Sequence, residues 1–319
     1  MGTAINTKNG GSKYKGPKIA SKSLLQKILS HKQQYAMICP TVILTLLFGI
    51  YPIFYVLGYS FTDYNGFGSV AKFIGLANYA RVIKDGAWWV TVWNTLVLGF
   101  GIPLIQLPLS LLLAVLLNKN FSGRDFARAV IFIPNITSSA IMAIIFFFMF
   151  SSYNGIVNVI LMKLHILASP MEWLGNGSLA KIVIIIFCTW SGLGFYMVLF
   201  LSALQRIPGE VYESANIDGA NRIQTFSRIT LPMLGKMFQL ITALSILNAL
   251  KLFDSVKALT NGGPGNTTEV MTMYIFRYFF EGMGNAQQGY ASAVSIVATL
   301  IVGVVTVFYM YLTRRFEDE

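Results

Sequence analysis

Apolar residues run along this chain in long blocks instead of alternating with polar ones. The block 93–117, for example, contains no charged residue. Alternation would point to half-buried strands. Unbroken runs near or beyond ~18 apolar residues point to helices that cross a lipid bilayer. Six such spans are predicted, at about 37–61, 93–117, 128–151, 180–204, 233–253 and 290–313. Each approaches the ~20 residues needed for roughly 30 Å of hydrocarbon at ~1.5 Å per residue. Pro40 and Pro52 fall inside the first. Proline is tolerated in a bundle because neighbours can satisfy the carbonyls it leaves unpaired. The expected fold is therefore all-α and polytopic.

Composition agrees with that class. Only 12% of the 319 residues are charged, against about 25% in soluble domains. The formal net charge of +11 does not indicate a nucleic-acid partner, because the basic residues follow the span ends instead of forming one patch. Lys8, Lys13, Lys15 and Lys18 begin a basic tail over 1–34 that has the composition of a disordered segment. Lys119, Arg124 and Arg128 lie between the second and third spans, and Arg206, Arg222, Arg228 and Lys236 between the fourth and fifth. The remaining connections mix both signs. This asymmetry places both termini, and the loop between the fourth and fifth spans, in the cytoplasm. Cys39 and Cys188 sit in apolar runs and read as small buried hydrophobes, not a disulfide or metal site. Two histidines, His31 and His165, are too scattered for a metal cluster.

That cytoplasmic loop carries the most informative stretch. Pro208 suits the start of a helix, and Glu210 and Glu213 suit its positive end. Asp218-Gly219 is a stop signal. A second short helix fits about 221–230, with Ile223, Phe226 and Ile229 on one side, closed by Leu231-Pro232. The result, over about 207–231, is two short helices joined by a tight turn, acidic at one end. A helix lying on the bilayer would favour Lys and Arg, so a basic protein partner is the preferred reading.

In the spans, Ser245, Asn248 and Leu252 are spaced by three and four and share one helix face. Polar groups at such positions face a bundle interior or a wet cavity. They serve equally well as interhelical hydrogen bonds worth about 0.6 kcal/mol. Lys251 and Asp254 suggest a local ion pair, or else a Lys251 that meets an acidic sugar or phosphate. Trp88, Trp89, Trp93 and Trp173 fit an interfacial belt at the outer span ends, and 261–266 reads as a turn.

The order Glu213, Ala215, Asp218-Gly219-Ala220, Phe226, Ile229, Leu231-Pro232 resembles the "EAA" coupling motif of ATP-binding-cassette importer permeases, with Ser214 in place of its second residue. Phe132-Ile133-Pro134, Gly155 with Asn158, Trp190 with Gly192, Phe253-Asp254, the segment Leu259 to Gly265, and Tyr290 to Ala293 resemble the carbohydrate permeases of maltose and glycerol-phosphate type. The resemblance covers about 35–319. It implies a type I importer transmembrane domain in the bacterial inner membrane. It also implies partners: a second homologous permease, an ATPase dimer that holds ATP and Mg, and an extracytoplasmic solute-binding protein. This chain would itself bind no cofactor, and no Walker A pattern is present. By the same resemblance Glu213, Ala215, Asp218, Gly219, Ala220, Phe226, Leu231 and Pro232 form the ATPase-coupling element. Gly192, Phe195, Ser245, Asn248, Ala249 and Leu252 line a sugar pathway, with Phe195 stacking on the ring and Gly192 admitting sugar to the backbone. Another solute, such as glycerol phosphate, a polyamine or an oligopeptide, is the alternative within the class. An integral-membrane enzyme is disfavoured because no paired carboxylates, metal ligands or activated nucleophile stand in the spans. A stand-alone channel has no use for the acidic helix pair.

Overall fold

A computed structural model describes residues 32–66, 70–281 and 286–314. The basic tail falls almost wholly on residues outside these.

Helix α1, Lys32–Tyr59, is long and apolar enough to cross a membrane. Its π-helical turn Thr45–Ile50 ends two residues before Pro52. Such a wider turn accommodates the hydrogen bond that proline cannot donate. Residues up to Tyr55 form one unit, and Val56 onward forms the other.

The second unit is built on α2 (Ala77–Lys84), α3 (Gly86–Leu117), α4 (Arg124–Ile136), α5 (Ser139–Met149), α6 (Ile156–Lys163) and α7 (Gly177–Leu204). It continues with α8 (Gly209–Ile217), α9 (Arg222–Met233), α10 (Gly235–Leu250), α11 (Asp254–Thr260), α12 (Met271–Phe276) and α13 (Gln288–Arg314). Among the described residues the only β pairing is an isolated bridge between Thr62 and Phe73. The chain is thus all-α, as expected. Helices α3 and α7 share the most extensive contact, and α10 packs along α3. Phe187, Ile184 and Leu98 centre one cluster between them. Met197, Phe200, Leu111 and Ile241 centre a second. Trp88, Val92, Tyr274 and Val294 tie α3 to α12 and α13 in a third.

Four helices are long and apolar enough to span, and two bent pairs complete six if each pair is one span. The first bend corrects the sequence expectation. The third span was expected as one rod over 128–151, but α4 and α5 meet at 95°. Pro134 lies within α4, and Thr137 and Ser138 leave helical geometry (ψ 144° and 124°). Halves of 13 and 11 residues reach only about 20 and 17 Å, so neither crosses alone. The 72° bend between α9 and α10 falls where the sequence separates the short cytoplasmic helix from the fifth span.

The tryptophan belt also needs correction. Trp88 is fully buried and packs on Tyr274 at 5.5 Å. Trp173 is half-buried and donates through Nε1 to Asn158 Oδ1 (2.9 Å). Of these four, Trp89 and Trp93 are exposed. Buried Asn158 also bonds both the N–H and the carbonyl of Met171, which fixes the connection after α6. Of the two free thiols, Cys188 packs against the first cluster as a small hydrophobe, whereas Cys39 is exposed and departs from that expectation.

Asp85 caps α3, accepting from the N–H groups of Ala87 and Trp88 (3.0 and 3.4 Å). It also accepts from the hydroxyls of Tyr274 and Tyr290, and Arg81 lies over the Tyr290 ring at 3.9 Å. Burial works against the Asp85 charge, but the two tyrosines and two N–H groups outweigh it and hold the carboxyl below the usual carboxylate range. A depressed folded pKa contributes stability that is present above the unfolded pKa of about 3.9 and is lost as pH falls through the folded value. Asp85→Ala removes the cap and leaves two hydroxyls without their acceptor, a loss of about 2 kcal/mol. Thermal unfolding in detergent should show that gap at pH 7 and show it closing below about pH 4. A gap independent of pH would contradict the charged latch.

Candidate functional site

Two sites stand apart on the second unit. The first is the α8–α9 elbow. α8 begins after Pro208 and carries Glu210 in its first turn, as the sequence predicts. Its one buried residue is Ala215. Gly219 then takes φ +77°, a left-handed conformation that costs any other L-residue roughly 1–2 kcal/mol. Its N–H bonds Asn216 O (3.1 Å), and the N–H of Ala220 bonds Ala215 O (2.9 Å). These two bonds close the helix end. Asn221 starts α9 with a reciprocal capping box to Gln224 (2.9 and 2.8 Å). Phe226 packs into the cluster under α3 and α7, and Thr230 is buried near the Tyr212 hydroxyl (3.3 Å). The elbow is therefore anchored from beneath by Ala215, Phe226 and Thr230. Glu213, Asp218, Ile217 and Ile223 are left exposed on it.

Two expectations for this element change. Leu231-Pro232 does not end the second helix. A π-helical turn, Phe226–Thr230, precedes it, Pro232 sits in the first turn of the segment Leu231–Met233, and the bend comes at Leu234. The Leu231 N–H reaches back to Phe226 O across that widened turn, which lies where the bond that Pro232 cannot donate is missing. Ile223 also leaves the side shared by Phe226 and Ile229, being 79% exposed.

The second site is a cavity of about 180 Å³ between α3, α4, α7 and α10. Gly192, Phe195, Ser245, Asn248, Ala249 and Leu252 all line it. The sequence brings these six together only as a face and a resemblance. Gln106, Asn135, Ser191 and Tyr196 join them and were not singled out. Gln106 is 3% exposed. Its Nε2 donates to the carbonyls of Cys188 and Thr189 (3.0 and 3.4 Å), and its Oε1 accepts from Ser245 Oγ (3.1 Å). One amide thus crosses three helices. Its only sequence signal is that it is the one polar residue in the apolar run 96–109. Asn248 Nδ2 donates to the Tyr196 hydroxyl (3.1 Å), and the exposed Phe195 ring meets Tyr196 edge-on at 5.2 Å.

The role expected of Gly192 is also revised. A Cβ there would lie 2.4 Å from Gln106 Nε2. The missing side chain makes room for that amide, so it is not primarily a slot for ligand. Lys251 and Asp254 do not pair. Among the described residues the ion pairs in this region are Lys257 with Glu281 and Arg277 with Glu269 (3.4 Å).

The family comparison decides the class. Residues 106–318 match the family model of the binding-protein-dependent transport system inner membrane component. The chain belongs to that family. Members are transport subunits, not enzymes, and this chain is a multi-pass membrane protein. This chain is 31% identical over 293 residues to the multiple sugar-binding transport system permease protein MsmF of Streptococcus mutans, covering 92% of this chain and 99% of that one. It is 35% identical over 283 residues to the lactose transport system permease protein LacF of Rhizobium radiobacter, covering 87% and 93%. Its fold matches a chain of the bacterial alginate ABC transporter, in complex with alginate pentasaccharide-bound periplasmic protein, with a TM-score of 0.81. That match has 25% identity and covers 92% of this chain and 98% of that one. The type I importer fold expected from the resemblance is thereby established.

Proposed function

We propose that this chain is one of two permease subunits of a sugar or oligosaccharide importer in a bacterial plasma membrane. The observation that carries the reading is the joint lining of one intramembrane cavity by Gly192, Phe195, Ser245, Asn248, Ala249 and Leu252. Relatives of this length named for lactose and for multiple sugars support a carbohydrate substrate. A volume of about 180 Å³ is below the ~300–1,000 Å³ of complete small-molecule pockets. The cavity therefore serves as one wall, with the second permease supplying the other. A solute-binding protein delivers substrate from outside, and an ATPase dimer carrying ATP and Mg docks at the α8–α9 elbow. Exposed Glu213 and Asp218 supply charge to that contact, and Ile217 and Ile223 supply apolar area. Closure of the ATPases pushes the elbow. Phe226 and Thr230 pass the displacement to α3, α7 and α10 as a rigid-body shift, driven by the energy difference between the two states.

Affinity purification of the tagged chain in mild detergent should recover a second permease and an ATPase in comparable amounts. Recovery of the chain alone, with solute flux independent of ATP, would instead fit a channel.

A further inference from the structure

A separate cavity, of about 370 Å³, lies behind the elbow, between the ends of α3 and α7 and the α8–α9 pair. Leu204 and Phe226 supply apolar wall, and Asn118 and Asn216 supply amides. Lys119 and Arg222 also line it, the first from the connection after α3 and the second from the first turn of α9. No carboxylate does. We infer that this cavity binds a phosphate ester of a polyhydroxy compound, with Lys119 and Arg222 meeting the phosphate.

Cations near helix C-termini commonly serve the unpaired carbonyls there. Three helices end at this cavity, and the carbonyls at their ends are already taken. Leu117 O of α3 accepts from the Arg128 guanidinium (2.6 Å). At α7 the N–H groups of Gln205, Arg206 and Ile207 bond the carbonyls of Leu201, Ala203 and Leu204. At α8 those of Asp218, Gly219 and Ala220 bond Ser214, Asn216 and Ala215. The carboxylate nearest Lys119 in sequence, Asp125, pairs with Arg124 and Arg128. Among the described residues neither Lys119 nor Arg222 has an ion-pair partner or a side-chain hydrogen bond. A phosphate ester answers both. It brings a single negative charge as a diester and about 1.5 to 2 as a monoester, taken by arginine through paired N–H groups and by lysine as a point charge. The side chains of Asn118 and Asn216 are also without hydrogen-bond partners among the described residues. Each can donate and accept, as the hydroxyls of the ligand's body require, while Phe226 offers a face to its carbons. The volume lies within the ~300–1,000 Å³ of small-molecule sites. Because Lys119 stands at the end of α3 and Arg222 on the elbow, a bridging ligand favours this arrangement over any that parts them. The phosphate ester has two sources on the elbow's side of the membrane: a soluble sugar phosphate, or the glycerol-phosphate headgroup of an anionic lipid.

The test is ligand binding to the complete importer, held without nucleotide in nanodiscs. In one arm the lipid is phosphatidylcholine, and the probes are labelled hexose 6-phosphate and the unphosphorylated hexose. In the other, phosphatidylglycerol is mixed in, and the lipid retained by the protein is counted by native mass spectrometry. The inference expects wild type to hold a phosphate ester that the double variant Lys119→Gln, Arg222→Gln does not. Each single variant should weaken binding about tenfold, the effect of one lost charged contact, and Lys119→Arg should bind as wild type. A difference in the hexose phosphate arm assigns a soluble ligand, and a difference in the lipid arm assigns a headgroup; either upholds the site. Equal retention by wild type and double variant in both arms would overturn it, as would equally tight binding of the unphosphorylated hexose. Loss of the ATPase from the double variant on purification would also overturn it, because the two cations would then serve that subunit. The importer reading survives all of these outcomes and fails only if wild type brings no ATPase.

Discussion

Replacing Gly219 with proline should abolish solute uptake while the protein still inserts, assembles and hydrolyses ATP. The elbow turns at Gly219 with φ +77°, and proline is held near −65°. The substitution also removes the N–H that bonds Asn216 O (3.1 Å). Nothing lies within 4 Å of a side chain placed there, so the damage is to the turn and not to the spans. Helix α8 would leave its seat on Ala215, and Glu213 and Ile217 would no longer face the ATPase together. Gly219→Ala, which only strains the left-handed conformation by roughly 1–2 kcal/mol, should retain part of the uptake. Glu213→Ala tests the same contact from its charge. Glu213 is exposed and has no ion-pair partner among the described residues, so its loss leaves the fold alone. If it meets a buried cation in the complex, the cost is about 2–5 kcal/mol of docking. Uptake and ATPase rates measured side by side in the reconstituted importer separate coupling from assembly. Normal uptake in both Gly219→Pro and Glu213→Ala would contradict the elbow's role.

The second large effect is expected at Gln106. Gln106→Leu keeps the volume but strands the Ser245 hydroxyl and withdraws donors from two α7 carbonyls. Leaving such a buried group unsatisfied costs about 1–3 kcal/mol. The melting temperature in detergent should fall, and the cavity between α3, α7 and α10 should lose its shape. Gly192→Ala attacks the same contact from the other side, because its new Cβ falls 2.4 Å from Nε2. Combining Gly192→Ala with Gln106→Ser relieves that collision. The double variant should be more stable than the sum of the single effects predicts, by an amount a double-mutant cycle reads directly. Strict additivity would mean that the amide and the glycine do not share a space.

Sequence pattern went furthest where chemistry and local geometry coincide. Pro208, Glu210, Asp218-Gly219 and the run to Pro232 define the elbow because caps, dipoles and left-handed turns act within a few residues. Ser245, Asn248 and Leu252 were legible as a face because helical spacing alone puts them together. Long-range matters were not legible. Gln106 is one polar residue in block 93–117, and nothing local says that its partners are Ser245 and two carbonyls of α7. Pro134 signals a defect but not its size, since a bundle often absorbs a proline. Here the 95° turn falls three residues later, where Thr137 and Ser138 extend. Trp88 reads as an interfacial residue from its place at a span end, yet Tyr274, 186 positions away, closes over it. Interfacial preference is a matter of an amphipathic ring near the headgroups, and burial by a distant helix overrides it.

Cross-linking from the elbow tests the central claim most directly. In a background carrying Cys39→Ser and Cys188→Ala, a single cysteine at Glu213 or Ile217 would be coupled to a short photoactivatable reagent in membranes. The account predicts one adduct, with the co-expressed ATPase subunit, whose yield changes when ATP is added. Labelling of that cysteine from the extracellular side, or adducts with lipid alone, would contradict it.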